Sequence, residues 1–381
     1  MRVPQADPKA GYLAHKAEID EAVTRALGSG WYILGQEVAA FEQEFAAFAG
    51  QAQGIGVANG TDALEIALRG LGIGPGDGVV TVSHTAVATV AAIELVGATP
   101  ILADIDEHYT LSPAALEAAL AGDMSGGSLG KAGGDKPKIK AVIVVHLYGQ
   151  PADMAAIAAI AQKHGLAVIE DCAQAHGATL DGKHVGAWGN AAAFSLYPTK
   201  NLGAFGDGGI VTTNDASLAE KIKALREYGW RKRYISDLSG MNTRLDELQA
   251  AMLRVRLHYL AAENARRVAV AGLYDVGLRG LLPLPARRKN AGHVFHQYVI
   301  RSKARAQLQE RLRERGIGTN VHYPMPVHLQ PAYAGRTWLA QGGLPATEKA
   351  SEEVLSLPMF PQLGDAQVAE TIAAVKAALG K

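Results

Sequence analysis

Three short segments of this chain hold residues whose types and spacing could do chemistry. In AAFSLYPTKNLGAFGDGGIVTT (192–213), Lys200 lies between a β-rich run ending Ser-Leu-Tyr-Pro and the small residues Gly203, Gly206, Gly208 and Gly209. A lysine kept for charge alone stands on a solvated face. In an apolar, Gly-rich loop its amine pKa falls and a bulky planar group can approach closely, which is what Schiff-base chemistry needs. Ser195, just upstream, is placed to reach a phosphate. In VIEDCAQAHGA (168–178) an apolar strand ends at Asp171. That is the strand mouth where α/β proteins place ligands, and a buried carboxylate there needs a partner such as a protonated pyridine nitrogen. The alternative is that Glu170 or Asp171 caps the next turn. Gln174 either donates to a ligand oxygen or bonds the backbone, and His176 reads as a satisfied structural histidine. In VANGTDALEIAL (57–68), Thr61 and Asp62 open an amphipathic helix and Gly60 precedes them. A helix N-terminus offers free N–H groups and a positive dipole end to a phosphate, and glycine allows close approach. An ordinary turn with Thr61 or Asp62 as N-cap is the competing reading.

The elements that position these segments follow a βα alternation from about residue 54 to 215, which predicts an α/β domain with a largely parallel sheet. Strands are expected at 55–58, 79–82, 100–104, 141–146, 167–171, 192–197 and 209–213, and helices at 62–71, 86–96, 113–120 and 154–164. The continuous apolar runs AVIVVH and LAVIE predict strands covered on both faces. Residues 121–138, rich in Gly, Lys and Asp, read as a flexible insertion without chemistry. A long helix from Arg244 to beyond Arg267, with Leu245, Leu248, Ala251, Met252 and Val255 on one face, is expected to bridge the domains. A smaller α+β unit follows, with a strand in 296–300 and helices at 303–315 and 365–379. The domain expectation is 1–243 for an N-terminal arm and large domain, and 244–381 for the bridging helix and small domain.

Composition sets limits. The chain has 381 residues, 48% of them hydrophobic, enough for two cores. Its 37 basic residues match 37 acidic ones. No broad basic field exists for nucleic acid or an anionic membrane, so phosphate recognition has to be local. One cysteine, Cys172, forms no intramolecular disulfide, and the N-terminal residues lack a signal-peptide core; a cytoplasmic protein is expected. No apolar run approaches the length of a membrane span.

Taken together, GWYILGQEVAAFEQEFA, NGTDALEIAL, EDCAQAHGA, SLYPTKNLGAFGDGG, NTRLDELQAA and VHYPMPVHLQPAY resemble the DegT/DnrJ/EryC1/StrS family of sugar aminotransferases over nearly the whole chain. The resemblance implies the aspartate aminotransferase fold (fold type I) and pyridoxal 5'-phosphate, with pyridoxamine 5'-phosphate as its other form. Lys200 would hold the cofactor covalently. Asp171 would pair with its pyridine nitrogen, Gln174 would lie by its phenolic oxygen, and Gly60, Thr61 and Ser195 would bind its phosphate. Asn242 matches an asparagine that reaches the partner subunit's cofactor, which implies a homodimer with shared sites. In SHTAVAT this chain has Ala86 where the family often carries an aromatic that stacks on the ring; His84 is one candidate to replace it.

The expected partners are glutamate as amino donor and a nucleotide-linked keto-sugar. Arg231 and Arg233, beside Tyr234 in YGWRKRYIS, form a local cluster suited to a diphosphate, or else a solvated charge run. His322 and Tyr323, in a Pro-constrained loop with His328, are expected to close on the substrate. The two histidines lack the i,i+4 spacing of a metal pair, so no metal is expected. The lysine loop resembles members that aminate C3 of a dTDP-linked 3-keto-6-deoxyhexose. The alternatives are C4 amination of a UDP- or GDP-linked 4-keto sugar and a non-catalytic sensor on the same fold. A dehydratase of this fold would carry histidine at the Lys200 position.

Overall fold

The computed structural model describes residues 1–122, 124–126 and 136–381 of the chain. Its centre is a nine-stranded mixed sheet, ordered Gln53–Val57, Gly209–Thr213, Ala191–Ser195, Ala167–Asp171, Lys138–Val145, Asp77–Val82, Thr99–Ala103, Trp338–Ala340 and Met124–Gly126. The five pairings from Ala191–Ser195 to Trp338–Ala340 are parallel, and the outer ones are antiparallel.

Successive side chains of a strand point to opposite faces, so a strand buried on both sides must be apolar throughout. Val142 and Val144 face one layer with Leu116 and Ile157, while Ala141 and Ile143 face the other with Leu64, Leu68 and Ile222. Helices Gly60–Gly70, Val87–Leu95 and Ala216–Leu225 thus cover one face, and Pro113–Leu120 and Met154–His164 the other. The expected strands and helices are present, four of them with the expected bounds and the others with ends shifted by at most three residues.

One expectation needs correction. Part of the Gly/Lys-rich insertion, residues 123 and 127–135, lies outside the described residues. Met124–Gly126 within it is a strand paired with Trp338–Ala340, since a sheet edge takes any segment that offers free N–H and C=O groups. Trp338–Ala340 comes from the C-terminal part of the chain and inserts beside Thr99–Ala103.

The long helix runs Glu247–Leu278, about 48 Å at 1.5 Å per residue, and begins after Asp246 rather than at Arg244. Its first half buries Leu253 and Leu260 beneath the lysine loop, and its second half buries Val270, Tyr274 and Leu278 in the smaller core. That core packs the antiparallel pair Tyr298–Arg301 and Val354–Leu357 against helices Arg305–Glu314 and Asp365–Ala378, and takes in Val3 from the N-terminal segment. The Glu247 carboxylate accepts the N–H groups of Gly35, Glu37 and Val38 at 2.7, 2.9 and 2.9 Å. It thereby caps helix Gln36–Phe48 from across the fold.

Candidate active site

A cavity of about 500 Å³ opens at the carboxyl ends of the central strands. Gly60, Thr61, Asp171, Ser195 and Lys200 all bound it, so five residues separated by up to 140 positions in the chain are brought to one place. Asn59, rather than Thr61 or Asp62, caps the helix, its side chain accepting the Asp62 N–H at 2.9 Å. This leaves the Thr61 side chain free of capping. A Cβ on Gly60 would stand 2.6 Å from the Ser195 Cβ, so the close approach of helix start and strand end requires glycine.

Asp171 ends the strand Ala167–Asp171 and is 6% exposed. Its Oδ2 accepts the Thr89 hydroxyl at 2.8 Å and its Oδ1 the Ala173 N–H at 3.2 Å. Thr89 in turn lies 2.9 Å from the Thr85 hydroxyl. Burial pushes the Asp171 carboxyl above its ordinary value; the Thr89 and Ala173 hydrogen bonds and the Lys200 charge oppose the rise. Lys200 follows the tight loop closed by its own N–H to Tyr197 O at 2.8 Å. Burial lowers its amine to about 8, against the pull of Asp171 in the other direction. Its amine has no hydrogen-bond partner among the described residues, in keeping with an amine that has another bond to make.

Glu170 turns away from the cavity. It is fully buried, accepting N–H groups of Gly186, Trp188 and Gly189 at 2.7 to 2.8 Å and meeting His146 Nε2 at 3.1 Å. His146 Nδ1 accepts the Ala152 N–H at 3.0 Å, so Nε2 carries the proton that bonds Glu170. Cys172 lies close enough to complete a potential ligand trio. The donors and acceptors of the His146–Glu170 pair are nonetheless spent on one another and on the backbone. His176 packs against Phe45 and Phe194, and neither ring nitrogen has a hydrogen-bond partner, contrary to the expected satisfied histidine.

Gln174 does bond the backbone: Oε1 accepts the Tyr148 N–H at 2.7 Å, and Nε2 donates to the Tyr323 hydroxyl at 3.1 Å. Tyr323 is thereby tied to the turn after Asp171, one residue beyond Ala173 of the cavity lining. Burial and the Lys200 charge lower His322 to about 4. His328 is held between Ser83 Oγ at 2.8 Å and Glu348 at 3.3 Å, which anchors the far end of that loop. Ala86 lines the cavity, but His84 does not; it is buried between Ser351 and Tyr148 and cannot supply a stacking face.

The remaining expected residues lie elsewhere in the chain. Arg231, Arg233 and Tyr234 sit on an exposed hairpin formed by Trp230–Lys232 and Ile235–Ser236. With Trp31 and Tyr32 they bound a separate cavity of about 750 Å³ to which Lys200 does not contribute. Asn242 is exposed beside them, bridged to Glu227. Thr89 and Tyr148 escaped the sequence reading. The i,i+4 spacing of Thr85 and Thr89 was a usable signal for the first; nothing local marks the second.

The residues present fit pyridoxal phosphate: a buried carboxylate, an enclosed amine of lowered pKa, and a glycine-walled helix N-terminus with the Thr61 and Ser195 hydroxyls, around a cavity of ligand size. A family model described as the DegT/DnrJ/EryC1/StrS aminotransferase family matches residues 14–376. The chain is 47% identical over 378 residues to the dTDP-3-amino-3,4,6-trideoxy-alpha-D-glucose transaminase of Streptomyces venezuelae, covering 98% of this chain and 96% of that one. It is 44% identical to the UDP-N-acetyl-3-dehydro-alpha-D-glucosamine 3-aminotransferase of Acidithiobacillus ferrooxidans, covering 99% and 98%. Among solved structures, Streptomyces venezuelae DesV matches with a TM-score of 0.93 and 46% identity over 100% of this chain and 99% of that one. NtdA of Bacillus subtilis, which holds the cofactor PMP, matches with a TM-score of 0.85 and 28% identity over 97% and 82%.

Proposed function

Because the chain belongs to the DegT/DnrJ/EryC1/StrS aminotransferase family, we propose that it moves an amino group from glutamate to C3 of a dTDP-linked 3-keto-6-deoxyhexose. It is a pyridoxal-phosphate-dependent nucleotide-sugar aminotransferase of the aspartate aminotransferase fold. The observation that carries the reading is the placement of Lys200 and Asp171 in one cavity with the helix start at Gly60.

In this reading Gly60, Thr61 and Ser195 hold the cofactor phosphate, Asp171 the ring nitrogen, Gln174 the phenolic oxygen, and Lys200 the reactive carbon. When bound, the cofactor supplies an electron sink for a carbon that has lost a proton. The chain's part is positional and acid–base. Asp171, held by Thr89 and the Ala173 N–H, offers a fixed negative charge to the ring nitrogen. The Lys200 amine, lowered to about 8, is neutral often enough near pH 7 to take a proton from the donor's Cα and return one to the product.

Asn242, Arg231, Arg233 and Tyr234 serve the site of a second copy, which makes the enzyme a homodimer whose arginines meet the sugar's diphosphate. The exposure of Asn242, and of Arg231, Arg233 and Tyr234 on a hairpin outside the Lys200 cavity, supports that assignment. His322 and Tyr323 face the sugar from the same subunit. Residues 1–243 and 244–381 form the two functional bodies, with Trp338–Ala340 returned to the first. A cytoplasmic setting suits the one buried cysteine; no described helix is long and apolar enough to cross a membrane.

The test is an absorbance spectrum of the purified protein with pyridoxal phosphate, before and after glutamate, followed by a screen of keto-sugars. A visible band bleached by glutamate and restored by the dTDP-linked 3-keto sugar is expected. A band restored only by a 4-keto sugar would move the reaction to C4. Restoration by a UDP-linked 3-keto sugar would follow the Acidithiobacillus relative instead. Absence of any visible band would remove the reading.

A further inference from the structure

Tyr148 lies in the 3-10 turn Leu147–Gly149 with φ 61° and ψ 2°. A bulky residue keeps such a left-handed backbone only where its surroundings over-determine it. Here the neighbours are those of the substrate and cofactor contacts proposed above. Its N–H donates to Gln174 Oε1 at 2.7 Å, and its hydroxyl donates to the carbonyl of His322. A carbonyl only accepts, so the hydroxyl proton is committed to it. The hydroxyl oxygen then accepts a hydrogen bond from the N–H of His84 Nε2, 2.8 Å away. This leaves His84 Nδ1 as acceptor for the Ser351 hydroxyl at 3.1 Å. Burial lowers His84 to about 4, so the ring is neutral and its single proton has one place.

The direction of every bond from Ser351 to His322 is therefore set. A second arm closes the circuit, because Gln174 Nε2 donates to the Tyr323 hydroxyl at 3.1 Å. Tyr148, Gln174, Tyr323 and His322 form one closed ring of chain and hydrogen bonds. Tyr109 packs edge-on against the Tyr148 ring, 5.3 Å between centroids.

We propose that Tyr148 is a positioning residue that fixes the His322–Tyr323 loop relative to the cofactor-side Gln174, so that its hydroxyl governs sugar binding while its backbone N–H serves the cofactor side. The proposal rests on the roles given to Gln174, His322 and Tyr323 above. It separates the two arms of one residue. Tyr148→Phe deletes the hydroxyl arm and leaves the N–H to Gln174.

The experiment compares wild-type and Tyr148→Phe holoenzyme in separate half-reactions. Bleaching of the cofactor band by glutamate should proceed within about twofold of wild type. The KM for the keto-sugar that wild type accepts should rise roughly 10- to 100-fold, the usual reach of one buried, directed hydrogen bond on a positioned group. Ser351→Ala, at the outer end of the chain, should raise KM less and add nothing in the Tyr148→Phe background. A role confined to packing would slow both half-reactions together and make the two changes additive; either result overturns the proposal. If wild type aminates no keto-sugar, the functional reading itself fails and this inference with it, an outcome visible without any variant.

Discussion

The Lys200 cavity and the Arg231–Tyr234 hairpin are built on opposite principles. Beside Lys200 the carboxylates of Asp171 and Glu170 are buried and met from within the chain: Asp171 by Thr89 and Ala173, Glu170 by three N–H groups and His146. On the hairpin Tyr234 is 73% exposed, Arg233 rests only over the Tyr234 ring at 4.9 Å, and Arg231 reaches Asp237 at 3.9 Å. A preorganised centre favours chemistry, since its dipoles need no reorganisation at the moment of reaction. An exposed cationic hairpin stays adaptable until a ligand or second surface covers it. In the proposed function, reaction and recognition thus fall to regions whose charged groups are held with unequal firmness.

Variants can break that contrast. The largest effect belongs to Lys200→Ala, expected to lower amine transfer by roughly 100- to 10,000-fold or more and to abolish borohydride trapping of the cofactor, read by mass spectrometry. Asp171→Asn keeps the shape and removes the charge. Its turnover should fall about 100- to 1,000-fold with cofactor still bound, as equilibrium dialysis would show. On the other region, Arg231→Ala combined with Arg233→Ala should raise the sugar KM roughly 10- to 100-fold and leave the glutamate half-reaction unchanged; equal loss in both would merge the two regions.

Gly60→Ala sets a Cβ 2.6 Å from that of Ser195, an overpacking worth about 1–3 kcal/mol, and should weaken phosphate retention as well as thermal stability. The smallest effect is one of pH. The unfolded chain holds the Lys200 proton up to its ordinary 10.5, the folded chain only up to about 8. Between these values the unfolded state binds more protons, so apoprotein stability from this group rises with pH across that window. Urea midpoints at pH 8, 9 and 10 should show the slope in wild type and a shallower one in Lys200→Met.

The gathering of Gly60, Asp171 and Lys200 around one cavity was legible in sequence because these residues sit in short strings that carry their own context: a strand end before Asp171, glycines after Lys200, a helix start after Gly60. Their supports were not legible. Thr89 reaches Asp171 across 82 positions, Tyr148 reaches His322 across 174, and Glu247 caps a helix 210 positions earlier. Such partners are chosen by the packed fold, and no local periodicity encodes them. The strand at Trp338–Ala340 was missed for the same reason, being three residues long and recognisable only beside Thr99–Ala103.

That late strand governs how the molecule is born. During synthesis the open edge at Thr99–Ala103 waits for roughly 240 more residues to leave the ribosome, about 12 to 48 seconds at 5–20 residues per second. Throughout that interval a nascent chain would carry a row of backbone groups without a strand partner at that edge, a surface suited to chaperone custody and open to misassembly. A truncated product ending before Trp338 would therefore keep its lysine and still lack a finished sheet.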